Sequence, residues 1–338
     1  MRIGFNPNKD QTITKSDYFH QVIIPVHIPD QVGYFKDSFT ILKYCLNSLF
    51  KTSHSKTYFT VVNNGCCVEV VVYLNMLHQQ GQIHEIVHTT AIGKLNAILK
   101  GIAGQQFDLI TISDADVLFL DHWQKATYEV FEAFPKTGVV STTPNPKMLR
   151  YYTSNILFEA LFSKKIQFTN IKNKEALTAF AHSIGNVNLF KKVHFEYNLT
   201  VFNKGVKAVI GAGHFVATYK NICFNRINST YTKFSLGGDS EQLFLDEPAI
   251  NLGLWRLSTE DNFTYHMGNT KEDWMENQLK SLTVNCDVFF APKLKPAVNY
   301  NFFNWFKTEF FPRIIFRKSL WELFLRYKGL SKEEANNY

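Results

Sequence analysis

Residues 108–116, DLITISDAD, decide the fold: an apolar, β-branched run at 108–113 ends directly in the two carboxylates Asp114 and Asp116. A run of this kind, bounded by polar residues, reads as a strand buried on both faces. Upstream, QVIIPVHI at 21–28, YFTVV at 58–62 and the stretch 83–88 read as further strands. Between the first two, Phe35, Phe39, Leu42, Leu46 and Leu49 recur at spacings of four and three, which is one face of a helix. Residues 68–77 and 94–102 fit two more helices. Strand–helix units repeating about every 25–30 residues predict a parallel sheet with helices on both faces. Ligands of such sheets bind beyond the carboxyl ends of the strands. Pro25–His27, Asn63-Asn64 and Asp114–Asp116 are therefore expected along one edge.

Composition narrows the class. Of 338 residues, 45% are hydrophobic and 19% charged, which is globular and not disordered. Lys and Arg (36) outnumber Asp and Glu (29), for a formal net charge of +7 that suits anionic partners such as phosphates or acidic lipid. No apolar stretch approaches the roughly 20 residues of a membrane-spanning helix. The start, MRIGFNPNKDQTITK, shows no apolar segment of a secretory signal, so a cytoplasmic location is expected, with peripheral contact on the inner face of the membrane as an option. Cys45, Cys66, Cys67, Cys223 and Cys286 are scattered and read as reduced thiols; the adjacent Cys66-Cys67 lacks zinc-site spacing. The N-x-S/T sequons at Asn198, Asn228 and Asn262 read as coincidental without a secretory route.

Two carboxylates at i, i+2 after a strand can reach one hard cation, Mn²⁺ or Mg²⁺. An acidic pair at this spacing occurs about once by chance in such a chain, and an N-cap for the helix near Gln124 would explain it equally. Its position at the ligand-binding edge favours the metal.

Taken in order, VIIPVHIP (22–29), VVNNG (61–65), GKLNAILKG (93–101) and LITISDADVLFLDHW (109–123) resemble the nucleotide-sugar half of family-2-like glycosyltransferases with the GT-A fold. GAGHFVATYK (211–220), GGDSEQLFLDEPAINLGLWRL (237–257) and YHMGN (265–269) resemble the acceptor half. The resemblance implies a GT-A-like, Rossmann-type α/β domain with a mixed, mainly parallel sheet. It also implies transfer of a hexose or amino sugar from a nucleotide-diphosphate sugar, through a divalent metal held at the D-x-D pair.

Carried over residue by residue, Asp116 is the principal metal ligand, and Asp114 contacts the ribose, or the metal through water. His266 is a third metal or diphosphate ligand, which would favour Mn²⁺ over Mg²⁺; the alternative is a strand-end histidine held by a hydrogen bond. Lys94 falls where relatives place a cation near the diphosphate, or is a solvated lysine at a helix start. Pro25 and His27 stand where relatives wrap the base. Where many relatives have an Asp for uracil, this chain has Asn63-Asn64, so UDP is compatible but not required. An inverting relative has a carboxylate base in the 237–247 block, but here Ser240 takes its usual place. Asp239 is the first candidate and Glu241 the second, with an N-cap as the competing role for Asp239. Asp246 and Glu247 are expected on an exposed helix face, and Pro248 is expected to interrupt or kink the helix.

The expected organisation is an N-terminal extension at 1–20, a nucleotide-sugar half at 21–142, an acceptor half at 143–290 with an irregular stretch at 143–205, and an aromatic, basic helical extension at 291–338. Residues 300–328 hold six Lys/Arg, two Glu and many of the 31 phenylalanines. Such a segment lies on a membrane or packs on the catalytic domain or a second subunit. No nucleic-acid-binding motif occurs. The expected acceptor is a glycan or lipid-linked glycan of a surface polysaccharide. Two rivals share the fold: a silent glycan- or membrane-binding module, and a sugar nucleotidyltransferase, which would need an early Gly-rich loop with Arg.

Overall fold

The computed structural model describes residues 4–12, 16–225, 231–286, 289–295 and 302–338; Asn228 and residues 300–301 lie outside them. The first half follows the apolar periodicity. β1 (His20–Val26), β2 (Thr57–Asn64), β3 (Glu85–Thr89) and β4 (Leu109–Ser113) lie parallel in the order β3-β2-β1-β4. They are joined by α1 (Ser38–Thr52), α2 (Val68–Gln79) and α3 (Lys94–Ile102). β1 and β4 are buried along their whole length, as central strands covered on both faces must be. Alternation sorts their side chains: Val22, Ile24 and Val26 pack with Leu42, Leu46 and Leu74 of α1 and α2, while Ile23 packs with Leu95 and Ile98 of α3.

After β4 the chain leaves the main sheet. β5 (Val117–Phe119) follows the carboxylate pair directly, then come α4 (Trp123–Ala133) and β6 (Thr137–Ser141). The stretch expected to be irregular, 143–205, is instead built of α5 (Ser154–Glu159), β7 (Ile166–Asn170), α6 (Lys174–Ser183) and β8 (Tyr197–Asn203). Its strands hid from the reading because each mixes polar with apolar residues, IQFTN and YNLTVFN, on an outlying part of the sheet. β9 (Val206–Ile210), β10 (Val216–Lys220), α7 (Glu247–Asn251), β11 (Trp255–Thr259), β12 (Thr264–His266) and α8 (Asp273–Ser281) follow. β10 inserts antiparallel between β4 and β6, β11 runs parallel to β6, and β9, β8 and β7 continue as antiparallel neighbours. One mixed sheet of ten strands thus runs through both halves, and β12 pairs with β5 in a separate two-stranded sheet.

Pro248 does disturb its helix, as expected. The turn before it, Gln242–Asp246, is π-helical, and the same widening at Phe306–Phe310 precedes Pro312. A proline has no N–H to give and crowds the preceding turn, so an extra residue there absorbs the mismatch.

The C-terminal segment forms α9 (Phe302–Trp305), α10 (Phe311–Ile315), α11 (Lys318–Tyr327) and α12 (Lys332–Asn337). Phe311, Ile315, Trp321, Phe324 and Leu325 enter one core cluster with Tyr128, Phe131 and Leu257. The end of α11 is fastened twice: Lys328 donates from Nζ to the carbonyls of Ala160 (3.1 Å) and Ser163 (3.0 Å), and its own carbonyl accepts from Phe168 N–H at 3.0 Å. No helix among the described residues is long and apolar enough to cross a membrane.

Candidate active site

The expected edge is a cleft of about 410 Å³ lined by Pro25, His27, Asn64, Lys94, Asp114 and Asp116. β1 reaches it with Pro25 and the residue after its end, His27, β2 with Asn64, and α3 opens beside it at Lys94. Gly93 makes that opening. Its φ of +90° is left-handed, and a Cβ there would sit 2.9 Å from the Ser235 Cα. Asn96 then fixes the covering segment, exchanging two 2.8 Å hydrogen bonds with the backbone of Thr232, while Lys94 N–H donates to Ser235 carbonyl at 3.0 Å. A second hollow, of about 470 Å³, lies around His54, Gln124 and Tyr128 and contains none of these carboxylates.

Lys94 is not a solvated lysine. Its ammonium lies 2.7 Å from Asp114 Oδ1 and 2.9 Å from Glu241 Oε1, with 17% of the side chain exposed. Burial opposes the charge, but Asp114 and then Glu241 more than compensate, and the proton is held well above the usual lysine range. The network continues inward. His214 Nε2 lies 3.1 Å from Glu241 Oε2, and its Nδ1 lies 3.7 Å from Asp246 Oδ2. Asp246 meets Arg256 at 2.6 Å, and neither side chain is exposed. Arg256 also donates to Ala212 carbonyl at 2.6 Å. Against burial, the neighbouring carboxylates of Asp246 and Glu241 raise His214 to about 9. The hydrogen bond from His214 overcomes burial and, with the charge of Lys94, holds Glu241 at about 2.

Asp246 is therefore not on an exposed face. The widened π turn carries it inward to Arg256, and only Glu247 keeps an outer contact, accepting from Tyr152 Oη at 3.1 Å. The two second-half candidates are also separated. Glu241 faces Lys94 and His214, whereas Asp239 sits exposed on a left-handed turn, φ +58°, ahead of the helix. It does not cap that helix: the Ser240 hydroxyl donates back to Gly237 carbonyl.

Asp116 and His266 meet because β5 pairs with β12 in the register Val117–His266. His266 Nε2 is 3.4 Å from Asp116 Oδ2, and Nδ1 is 2.9 Å from the Ser183 hydroxyl of α6. Burial raises the Asp116 carboxyl above its usual range, despite the opposing pull of His266. A carboxylate that is costly to ionise alone is one that gains from a cation. Two carboxylates and an imidazole fit Mn²⁺ by donor chemistry. Among the described residues, however, no three His, Cys, Asp or Glu side chains are grouped closely enough to hold an ion, because Asp114 is turned to Lys94.

The asparagines are largely committed to the protein. Asn63 accepts from Cys66 N–H at 2.9 Å and pairs with His88 at 2.9 Å, and it does not line the cleft. Asn64 does line it, with Oδ1 taken by Ile92 N–H at 2.8 Å. His27 Nδ1 lies 2.7 Å from the Asn64 carbonyl, so it donates and leaves Nε2 as an acceptor. Gly211, φ +106°, is required by close packing, since a Cβ would lie 2.6 Å from Met148 carbonyl oxygen; around Gly213 there is open space.

His214 and Arg256 escape the sequence reading, which sets Asp246 on an exposed face. A signal was present: an arginine inside the strand WRLST and an aspartate inside the apolar run LFLDEP are each costly unless paired. Their partnership across the sheet leaves no local trace.

A parallel four-strand block, closed by an antiparallel strand and carrying acids and a lysine at its carboxyl edge, is a GT-A-like α/β fold. Residues 32–194 match the model of glycosyl transferase family 2, and over that stretch the chain is similar to that family. No curated protein matches it. Among solved structures it is similar to the mannosyltransferase PcManGT from Pyrobaculum calidifontis in complex with GDP-Man and Mn²⁺, at 12% identity over 74% of this chain and 58% of that one, with a TM-score of 0.41. It is also similar to S. aureus TarS 1–349, at 12% identity over 77% of this chain and 69% of that one (TM-score 0.43). TarS 1–349 in complex with UDP-GlcNAc gives 10% identity over 94% and 69%, with a TM-score of 0.44. The chain thus spans 58% of the length of the first of these enzymes.

Proposed function

We propose that this protein transfers a hexose or amino sugar from a nucleotide-diphosphate donor to a glycan or lipid-linked glycan, with inversion, in surface polysaccharide synthesis. The observation that supports this reading most directly is Lys94, which bridges Asp114 on the donor side to Glu241 on the acceptor side. Pro25, His27 and Asn64 take the base. His27 Nε2 accepts and the free Asn64 amide donates, which suits a base with both an N–H and a carbonyl, and UDP is favoured. Asp116 and His266, joined by Asp114 once it is released from Lys94, would hold Mn²⁺ or Mg²⁺. When bound, such an ion neutralises diphosphate charge and eases departure of the nucleotide.

Glu241 is the proposed base, ahead of Asp239, because it alone of the two points at the shared cation. Held at about 2, it is ionised but weakly basic. A diphosphate that draws Lys94 away restores its affinity for a proton, so proton removal is coupled to donor occupancy. His214 stays fixed on the buried Asp246–Arg256 pair and keeps the Glu241 carboxylate oriented.

The test is thermal stabilisation by UDP-, GDP-, CMP- and dTDP-sugars, each with Mn²⁺ or with chelator, in the parent and in Asp116→Asn. Metal-dependent stabilisation by one nucleotide class, lost in the variant, is expected. No stabilisation by any donor would remove the donor site and leave a silent module.

A further inference from the structure

The outer face of α11 and the loop at 160–165 lie outside the proposed active site. Phe162 is 84% exposed at the tip of that loop, and Lys164 and Lys165, also exposed, follow it. The loop is tied to α11 by Lys328, whose ammonium sits 3.0 Å from Ser163 carbonyl oxygen and 4.9 Å from the centre of the Tyr327 ring. On α11 itself the inner face is spent on Trp321, Phe324 and Leu325, while Leu320, Leu323 and Tyr327, at i, i+3 and i+7, stay exposed along one flank, with Arg326 one turn from Leu323. Arg317 and Lys318 are exposed at the helix start, and among the described residues none of Lys164, Lys165, Arg317, Lys318 and Arg326 is paired with a carboxylate. Glu322 is the one acid of the helix.

We infer that this edge docks the protein on an anionic lipid surface, with Phe162, Leu323 and Tyr327 entering the headgroup layer and the five cations facing lipid phosphates. Charge complementarity commits the face to this occupant. Apolar side chains flanked by unpaired cations of one sign are what an interfacial element needs, whereas a second copy of the chain would set those cations against themselves. The inner face keeps the helix on the catalytic domain, so docking requires no refolding. The surface goes beyond residues 300–328, since its most exposed side chain lies far away in sequence, and it is independent of the donor-site reading.

The experiment is co-sedimentation of the full chain with vesicles of phosphatidylcholine alone, or with about 30% phosphatidylglycerol. Binding to the anionic vesicles only, weakened by salt, is expected. Phe162→Ser with Leu323→Ser should lower the partition coefficient about tenfold or more, and Lys164→Glu with Lys165→Glu should abolish the preference for phosphatidylglycerol. All four positions are exposed, so an unchanged melting temperature shows the variants folded. Absence of binding to anionic vesicles overturns the inference, as does parental binding by both double variants. A dimer in light scattering that Phe162→Ser with Leu323→Ser dissociates, without vesicle binding, overturns it in favour of a self-interface.

Discussion

Lys94, Glu241 and His214 show how a few ångströms reassign roles that spacing alone leaves open. Glycine-flanked Asp239 looks more accessible in one dimension, but accessibility is not placement. Glu241→Gln keeps the shape and one acceptor oxygen while removing the base. Its kcat is expected to fall about 10²–10⁴-fold, with donor-induced stabilisation retained. Asp239→Asn should stay within a few-fold of the parent, about the scale of a lost surface contact. Single-turnover kinetics on both variants decides the assignment; a large loss confined to Asp239→Asn would reverse it.

At the level of elements, the parallel block was legible because β1, β2 and β4 each carry a short β-branched apolar run and α1 shows its period. β1, β2 and β4 differ from the expected stretches only at their ends, and α3 begins at Lys94 as read. The carboxylate pair was legible through its place after β4. The second half was not, because its polar core is assembled from the loop before β10, the π turn and β11, which are unrelated by spacing. There the buried Asp246–Arg256 pair ties the helix that carries Glu241 to the sheet. Arg256→Leu leaves Asp246 buried with no cation but His214, and should cost about 3–5 kcal/mol of unfolding free energy. Urea denaturation measures this. Restoring much of that loss with Asp246→Leu on the same chain would show that the pair serves orientation more than stability.

For the whole molecule, buried histidines set the response to pH. Burial keeps His20 well below the usual range and brings His54 and, with help from Lys191 and Lys147, His194 to about 4. The unfolded chain takes up these protons near pH 6.5, so between about 6.5 and 4 it binds more of them and stability falls as pH falls. His214 works the other way: its contribution is complete below about 6.5 and is lost as pH rises through 9. Glu241 contributes above its ordinary range near 4.5 and loses that contribution only towards 2. The melting temperature should therefore peak near neutrality and drop on both sides. A melting temperature still rising at pH 5 would contradict this assignment of the histidines.

The fastening of Lys328 to Phe168 has another side. β7 is an outermost strand of the ten, and the carbonyl of residue 328 takes up one of its outward N–H groups. An uncovered strand margin is a template on which a neighbouring molecule can continue the ladder. The C-terminal helices thus act as a guard against sheet-to-sheet growth. Removal of residues 302–338 should yield a chain that self-associates with added β-structure, read by light scattering and circular dichroism together, while a monodisperse truncated chain would show that this margin protects itself.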